Sequence, residues 1–377
     1  MKEMKENLRN LLIALGNHKN HNTFMVIGMD GFVDEIIHVV DKRQNLDQYT
    51  RIPTLDAFGN RISCAAGLST NLEIVPVQTK LGGNGPILSN ALLSYGTKVT
   101  YIGALGIPDI HPAFGDMANK MEQVYSLCEP ARSEALEFGD GKLMLNMVTP
   151  FNNITWESVK SAIGNVGDVA SLFSKCDLVG FGNWTAISHM NSIWRGLLEE
   201  AFPLMSDSMS KEKPFALFDL ADPEKRSYED IIAAIELIKQ FEEKFRVILG
   251  LNEKELNIIA DVLDVVSTGR NNLREKVMKT FSALGIFGVV VHPLKEACCC
   301  IEGEFFRVEG PYCEKPILTT GAGDNFNAGF CLGLVLNLGV VNALTLGVCS
   351  SGYYVRNAKA PTYEEIMDFV KQLLLDT

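Results

Sequence analysis

The string Thr319-Thr320-Gly321-Ala322-Gly323-Asp324-Asn325-Phe326-Asn327-Ala328-Gly329-Phe330 places two glycines and an aspartate at the mouth of a long apolar stretch. Gly321 and Gly323 allow a tight turn in which successive backbone N–H groups point outward, an anion-binding arrangement at a helix N-terminus. Asp324 then falls in the first helical turn, where the helix dipole favours its ionised form. An ionised carboxylate beside an anion hole can take a proton from an incoming hydroxyl. Phosphoryl transfer needs this pairing, because its transition state spreads negative charge over the equatorial oxygens and the base acts late. The plainer reading is a glycine turn with a capping carboxylate. The length of the string favours chemistry.

Other residues invite similar weighing. Gly82-Gly83-Asn84-Gly85-Pro86 precedes a helical pattern ending at Tyr95-Gly96 and reads locally as a strand-to-helix turn. Asp30 and Asp34 follow the first apolar run, where a carboxylate suits vicinal hydroxyls because each oxygen can accept a hydrogen bond. Either is equally well a solvated loop aspartate. Asn252-Glu253-Lys254-Glu255 follows the run Arg246–Leu249, and helix capping by Asn252 explains it locally. Asp219 and Asp222, at a neighbouring strand end, read as loop charges. His292 has no second His or Cys at ligand spacing. The sequence contains no P-loop, H-E-x-x-H or G-x-S-x-G string, and no Rossmann fingerprint after its first strand.

Taken together these strings resemble the ribokinase-like (PfkB-type) carbohydrate kinases, whose T-G-A-G-D-x-F-x-A-G-F signature is matched at Thr320 to Phe330. The resemblance extends across most of the chain. It implies that Asp324 is the catalytic base and that Gly321, Ala322 and Gly323 form the anion hole. It implies substrate contacts for Gly82, Gly83 and Asn84, and for Asp34, with Asp30 as the second candidate. Asp34 lies six residues past Gly28, a spacing similar to that of the ADP-dependent sugar kinases. Asn252 and Glu255 match the family's N-x-x-E element, in which Glu orders water around Mg²⁺ near the nucleotide phosphates; no direct protein ligand to the metal is assigned. Two departures stand out. Ile87 replaces a frequent family Asn, and His292-Pro293-Leu294-Lys295-Glu296-Ala297 replaces a glycine-containing turn that frames the nucleotide, leaving ATP against ADP open.

The implied activity is Mg²⁺-dependent transfer of the γ-phosphate of ATP to a hydroxyl of a sugar-like small molecule. A monovalent cation and a homodimer paired through a lid are compatible with the same resemblance. Two other readings compete with this one. A ligand-binding or regulatory protein with weak or lost kinase activity is supported by the altered turn at His292 and opposed by the intact Gly321-to-Asp324 string. A nucleoside or vitamin kinase is the other, and the lid-like insertions favour a sugar over the vitamin branch.

The elements that must hold these residues alternate apolar runs with amphipathic stretches, which predicts an α/β, ribokinase-like, doubly wound and mostly parallel sheet with a small β-lid. The runs are near-continuous rather than alternating, as suits strands covered on both faces. Residues 36–80 and 135–148 break the rhythm with short β-like pieces around the polar segment Asp47–Ser63 and the turn Gly139-Asp140-Gly141. They are expected to form one small sheet over the mouth of the main one, as insertions in a kinase domain spanning 22–377. Residues 1–21 are expected to form an amphipathic helical extension. Asn325–Val355 carries no formal charge and could span a bilayer by length, yet Asn337-Leu338-Gly339 reads as a helix stop, so two buried helices are expected. The 377 residues carry a net charge of −12 and show no basic stripe, which argues against a nucleic-acid partner. Nine irregularly spaced cysteines read as reduced thiols of a cytoplasmic protein.

Overall fold

A computed structural model describes residues 2–205, 212–266 and 272–376. The apolar runs become strands β1 (Phe24–Met29), β2 (Phe32–Arg43), β3 (Tyr49–Arg51), β4 (Ile74–Gly82), β5 (Lys98–Gly103), β6 (Gln123–Ser126), β7 (Ala131–Phe138), β8 (Gly141–Met147), β9 (Leu178–Phe181), β10 (Phe215–Asp219), β11 (Arg246–Leu251), β12 (Gly288–Val291), β13 (Glu296–Ile301) and β14 (Glu304–Glu309). Nine of them make the main sheet, in the order β14-β13-β12-β11-β10-β9-β1-β5-β6. The seven from β12 to β6 run parallel, and the hairpin β13–β14 is added antiparallel to β12. Successive side chains enter opposite faces: Val26 and Phe218 join one buried cluster, their neighbours Ile27 and Leu217 the other. Helices therefore cover both faces, and the strands need apolar residues at every position.

The uncharged stretch resolves into the helices Ala322–Val335 and Val340–Asn357, separated at Asn337, which adopts φ 53°. Among the described residues no helix is long and apolar enough to cross a membrane. The helix Lys2–Asn17 buries Leu8, Leu11 and Leu15, a stripe at helical spacing, and Tyr363 donates a 2.8 Å hydrogen bond to the Leu15 carbonyl.

A second sheet has β2 at its centre, paired with β3, β4 and β7, and β8 pairs with β7. Its strands run further than the apolar pieces suggested. β2 begins at Phe32, β7 at Ala131, and β4 ends at Gly82. Polar residues such as Asp34 interrupt the apolar pattern while the backbone ladder continues through them. The polar segment also holds more structure than expected. It contains β3 and a helix, Leu55–Ser63, started by Thr54, whose hydroxyl accepts from the Ala57 N–H at 3.1 Å. Phe58 of that helix packs on Ile37, Val39, Ile52, Leu136 and Phe138, giving this sheet a small core of its own.

Candidate active site

Parallel strands end together, and their C-terminal ends open a crevice where ligands of open α/β sheets bind. Here a cavity of about 900 Å³ lies at those ends. Asn183 reaches it from the end of β9, Asp219 from β10, Asn252 from β11 and His292 from β12. Phe32, Asp34, Ser133, Met144 and Asn146 line it from the second sheet. The Asn84–Ser94 helix brings Gly83, Asn84 and Ile87, and the Ala322–Val335 helix brings Gly321, Gly323 and Asp324.

Gly321 caps the latter helix with φ 92°, a backbone shape that strains any side chain, and the turn is pinned from both sides. Tyr354 donates to the Thr320 carbonyl at 2.9 Å and Asn325 to the Gly321 carbonyl at 2.8 Å. The Ala322 N–H is already donated to the Thr319 carbonyl at 3.1 Å. Asp324, 7% exposed, accepts a 3.0 Å hydrogen bond from the Asn84 side-chain amide. Its carboxyl nevertheless titrates well above the usual range, chiefly through burial and then through repulsion from Asp219 and Asp30. This corrects the expectation that the helix dipole would keep Asp324 ionised. Near the helix end the dipole offers a fraction of a charge, whereas burial and two further carboxyls act directly.

The double-glycine turn is anchored from behind. Asp30 is fully buried, and its oxygens accept from the N–H of Asn84 at 3.0 Å, the N–H of Gly85 at 2.8 Å and the Asn183 amide at 2.8 Å. It is therefore occupied and does not line the cavity, unlike Asp34. A Cβ on Gly82 would overlap the Asp34 carboxylate, so the glycine lets that side chain lie against β4. Burial pushes the Asp34 carboxyl up to about 6, although Lys80 and Lys142 pull it down.

At the other end of the cavity, burial and then the Glu255 charge push Asp219 up to about 8. Asn327 donates to Asp219 at 3.0 Å and the Ala221 N–H at 3.1 Å. The reading of Asp219 as a solvated loop charge is overturned. Glu255 completes a capping box with Asn252 and also accepts the Asp222 N–H at 3.1 Å, so the local cap and a place in the cavity coexist. Burial raises its carboxyl too. Ala221 and Asp222 both sit at φ 55° and Asn183 at φ 60°, left-handed shapes that cost non-glycine residues energy and gather here at the cavity wall. Among the described residues no three metal-ligating side chains converge to grip an ion directly. The half-buried Asp219 and the buried Glu255, whose charges repel, instead fit a hydrated cation such as Mg²⁺, which keeps most of its water.

His292, where the resembled family carries a glycine turn, lies tilted against Phe326 at 5.0 Å between ring centres, and burial lowers its imidazole to about 4. It stands between the main cavity and a smaller one of about 230 Å³, lined in part by Pro311, Tyr312, Cys313 and Gly352.

The family model for prokaryotic ketohexokinase matches residues 17–373. A curated ketohexokinase of Haloferax volcanii is 31% identical over 352 residues, covering 93% of this chain and 91% of that protein. The chain belongs to the prokaryotic ketohexokinase family. It is accordingly a carbohydrate kinase, a phosphotransferase with an alcohol acceptor. Solved structures agree on the fold. An Arabidopsis thaliana ribokinase complexed with ribose and ATP has a TM-score of 0.63 at 14% identity, over 93% of this chain and 99% of that one. A Methanocaldococcus jannaschii nucleoside kinase has a TM-score of 0.61 at 11% identity, over 93% and 100%. The sheet is thus that of the ribokinase fold.

Of the residues singled out in the sequence, Asp324, Gly321, Gly323, Gly83, Asn84, Asp34, Asn252 and Glu255 line one cavity. Gly82 and Asp30 stand directly behind it as neighbours of lining residues, and Ala322 lines the smaller cavity. Ser133, Asn146 and Asn183 were not foreseen. Ser133 stands between Arg132 and Glu134 and Asn146 between Leu145 and Met147, and only the pairing of β2, β7 and β8 brings those two to the site, while Asn183 arrives from the end of β9.

Proposed function

We propose that this carbohydrate kinase transfers the γ-phosphate of ATP to a hydroxyl of a ketohexose, with Asp324 as the general base. The observation that carries this reading is the 3.0 Å hydrogen bond from Asn84 to Asp324. It ties the double-glycine turn, where a sugar fits beside Asp34, to the helix end where an anion fits. Sugar and phosphate then meet at one carboxylate. Asp34 accepts sugar hydroxyls, and Asp30 acts from behind by fixing the turn. The donor's phosphates lie against the N-terminus of the Ala322–Val335 helix, and its base extends past His292 into the smaller cavity. Asp219 and Glu255 would hold a hydrated Mg²⁺, which would supply charge neutralisation for the donor phosphates. With the crowded carboxyls offset by such a charge, Asp324 would be held as the carboxylate and could take the hydroxyl proton late in the transfer.

The second sheet serves as a lid that keeps out water competing for the phosphoryl group. Leu145 and Met147 are 45% and 47% exposed on β8, and a second copy of the chain pairing there would cover them. The direct test measures ADP formation with Mg-ATP over ketohexoses, aldohexoses, ribose and nucleosides. Turnover confined to nucleosides, or absent throughout, refutes the reading.

A further inference from the structure

The lid is more than a cover, because one polar row crosses its inner face. In the register of the second sheet Asp34 of β2 lies directly beside Ser133 of β7, and Ser133 directly opposite Asn146 of β8. Residues paired in this way share a face, so all three point the same way. All three line the large cavity. One of them is buried without a partner. Ser133 is 2% exposed and its hydroxyl makes no hydrogen bond. Asp34 is 6% exposed, lines the cavity, and is attracted by the charges of Lys80 and Lys142. Buried polar groups are almost always satisfied, and a hydroxyl left open on the cavity wall beside a carboxylate points to a missing partner. The next polar neighbour, Asn146, is exposed to the cavity and carries both a donor and an acceptor. A carboxylate that only accepts, a hydroxyl that does both and an amide that does both match adjacent hydroxyls of a sugar.

We propose that Ser133 and Asn146 are substrate-binding residues that extend the Asp34 site across the lid and select the acceptor sugar by its hydroxyl pattern; this rests on the sugar-kinase reading above. Neighbouring strands lie about 4.8 Å apart, so the row spans about 10 Å, wide enough for a hexose to lie along it. A sugar seated on this row is gripped by the lid itself, so binding and closure are one event. Donor nucleotide lies at the far end of the cavity, by Glu255 and the Ala322–Val335 helix, and makes no use of the row.

The test uses the full-length chain with whichever of fructose, tagatose, sorbose or psicose it phosphorylates fastest, together with that sugar's monodeoxy analogues. Ser133→Ala and Asn146→Ala should each raise KM for the sugar about 3- to 10-fold, the effect of losing one net hydrogen bond, and leave KM for ATP unchanged. The wild type should discriminate against one monodeoxy sugar by a similar factor, and Ser133→Ala should abolish that discrimination. Because Ser133→Ala removes a hydroxyl that has no partner in the free protein, its Tm should stay level or rise. An unchanged sugar KM, an equal rise in KM for ATP, or a lowered Tm with deoxy-sugar discrimination intact would each overturn the proposal. Those results with wild-type turnover present sink the row alone; absence of wild-type turnover on every sugar sinks the kinase reading and the row together.

Discussion

Replacing Asp219 with Asn probes the cation end of the site through protons rather than turnover. Burial and the Glu255 charge hold the Asp219 carboxyl at about 8 in the metal-free protein. At pH 7 such a group is about 90% protonated, and at pH 9 about 10%. A divalent cation favours the carboxylate, so Mg²⁺ binding at pH 7 should expel about 0.9 proton from this group alone. Glu255 and Asp324, also raised, can only add to that number. The same competition should weaken Mg²⁺ binding about tenfold at pH 7 relative to pH 9. Calorimetric titrations of Mg²⁺ in two buffers of different ionisation enthalpy read both quantities directly. Asp219→Asn should remove most of the proton release and flatten the pH dependence. The sign for stability follows from the same shift. A carboxyl with a higher pKa folded than unfolded binds extra protons in the folded state, so the metal-free protein should lose stability as pH rises from about 4 through 8. Mg²⁺ should restore it. Mg²⁺ binding at pH 7 with no proton release, and a Kd flat from pH 7 to 9, would refute the placement of the cation beside Asp219.

Asp34→Ala should raise KM for the sugar by about 10- to 100-fold, as befits hydrogen bonds to a charged group, and leave KM for ATP within about twofold; equal effects on both would misplace the sugar. Since Asp34 titrates at about 6, kcat/KM for the sugar should fall as pH drops through that value, and a wild-type profile without that acid limb, or one that persists in Asp34→Asn, contradicts the assignment. Asn84→Ala should lower kcat about tenfold by freeing Asp324, and unaltered turnover would show that the 3.0 Å contact is incidental. A double substitution, Leu145→Lys with Met147→Lys, should convert a dimer to a monomer in sedimentation, whereas an unchanged mass would place any subunit contact elsewhere.

Much of this architecture is legible in the chain because its causes are local. The parallel sheet shows as apolar runs that must be apolar throughout, and the break at Asn337 shows as a helix-stopping string. Asp324 and the glycines before it stand out because a turn, an anion hole and a carboxylate need consecutive residues. Where the determinants are long-range, the sequence is silent. Asp219 and Asp30 look like loop charges until burial is known, and the pKa of Asp324 depends on both of them, one at the end of β10 and one in the turn between β1 and β2. Ser133 and Asn146 acquire meaning only from the register of β2, β7 and β8. The helix Leu55–Ser63 was hidden in a polar segment because it buries little of itself, with Thr54 as its main local signal.

The central claim is that Asp324 takes the proton from the sugar hydroxyl, and Asp324→Asn tests it most directly. The amide keeps the size and the place in the first turn but cannot act as a base. With Mg-ATP and the preferred ketohexose, kcat should fall about 10²- to 10⁴-fold, while Tm holds and ATP binding persists or tightens as a carboxyl leaves the phosphate site. A correctly folded Asp324→Asn protein that turns over near the wild-type rate would contradict the account.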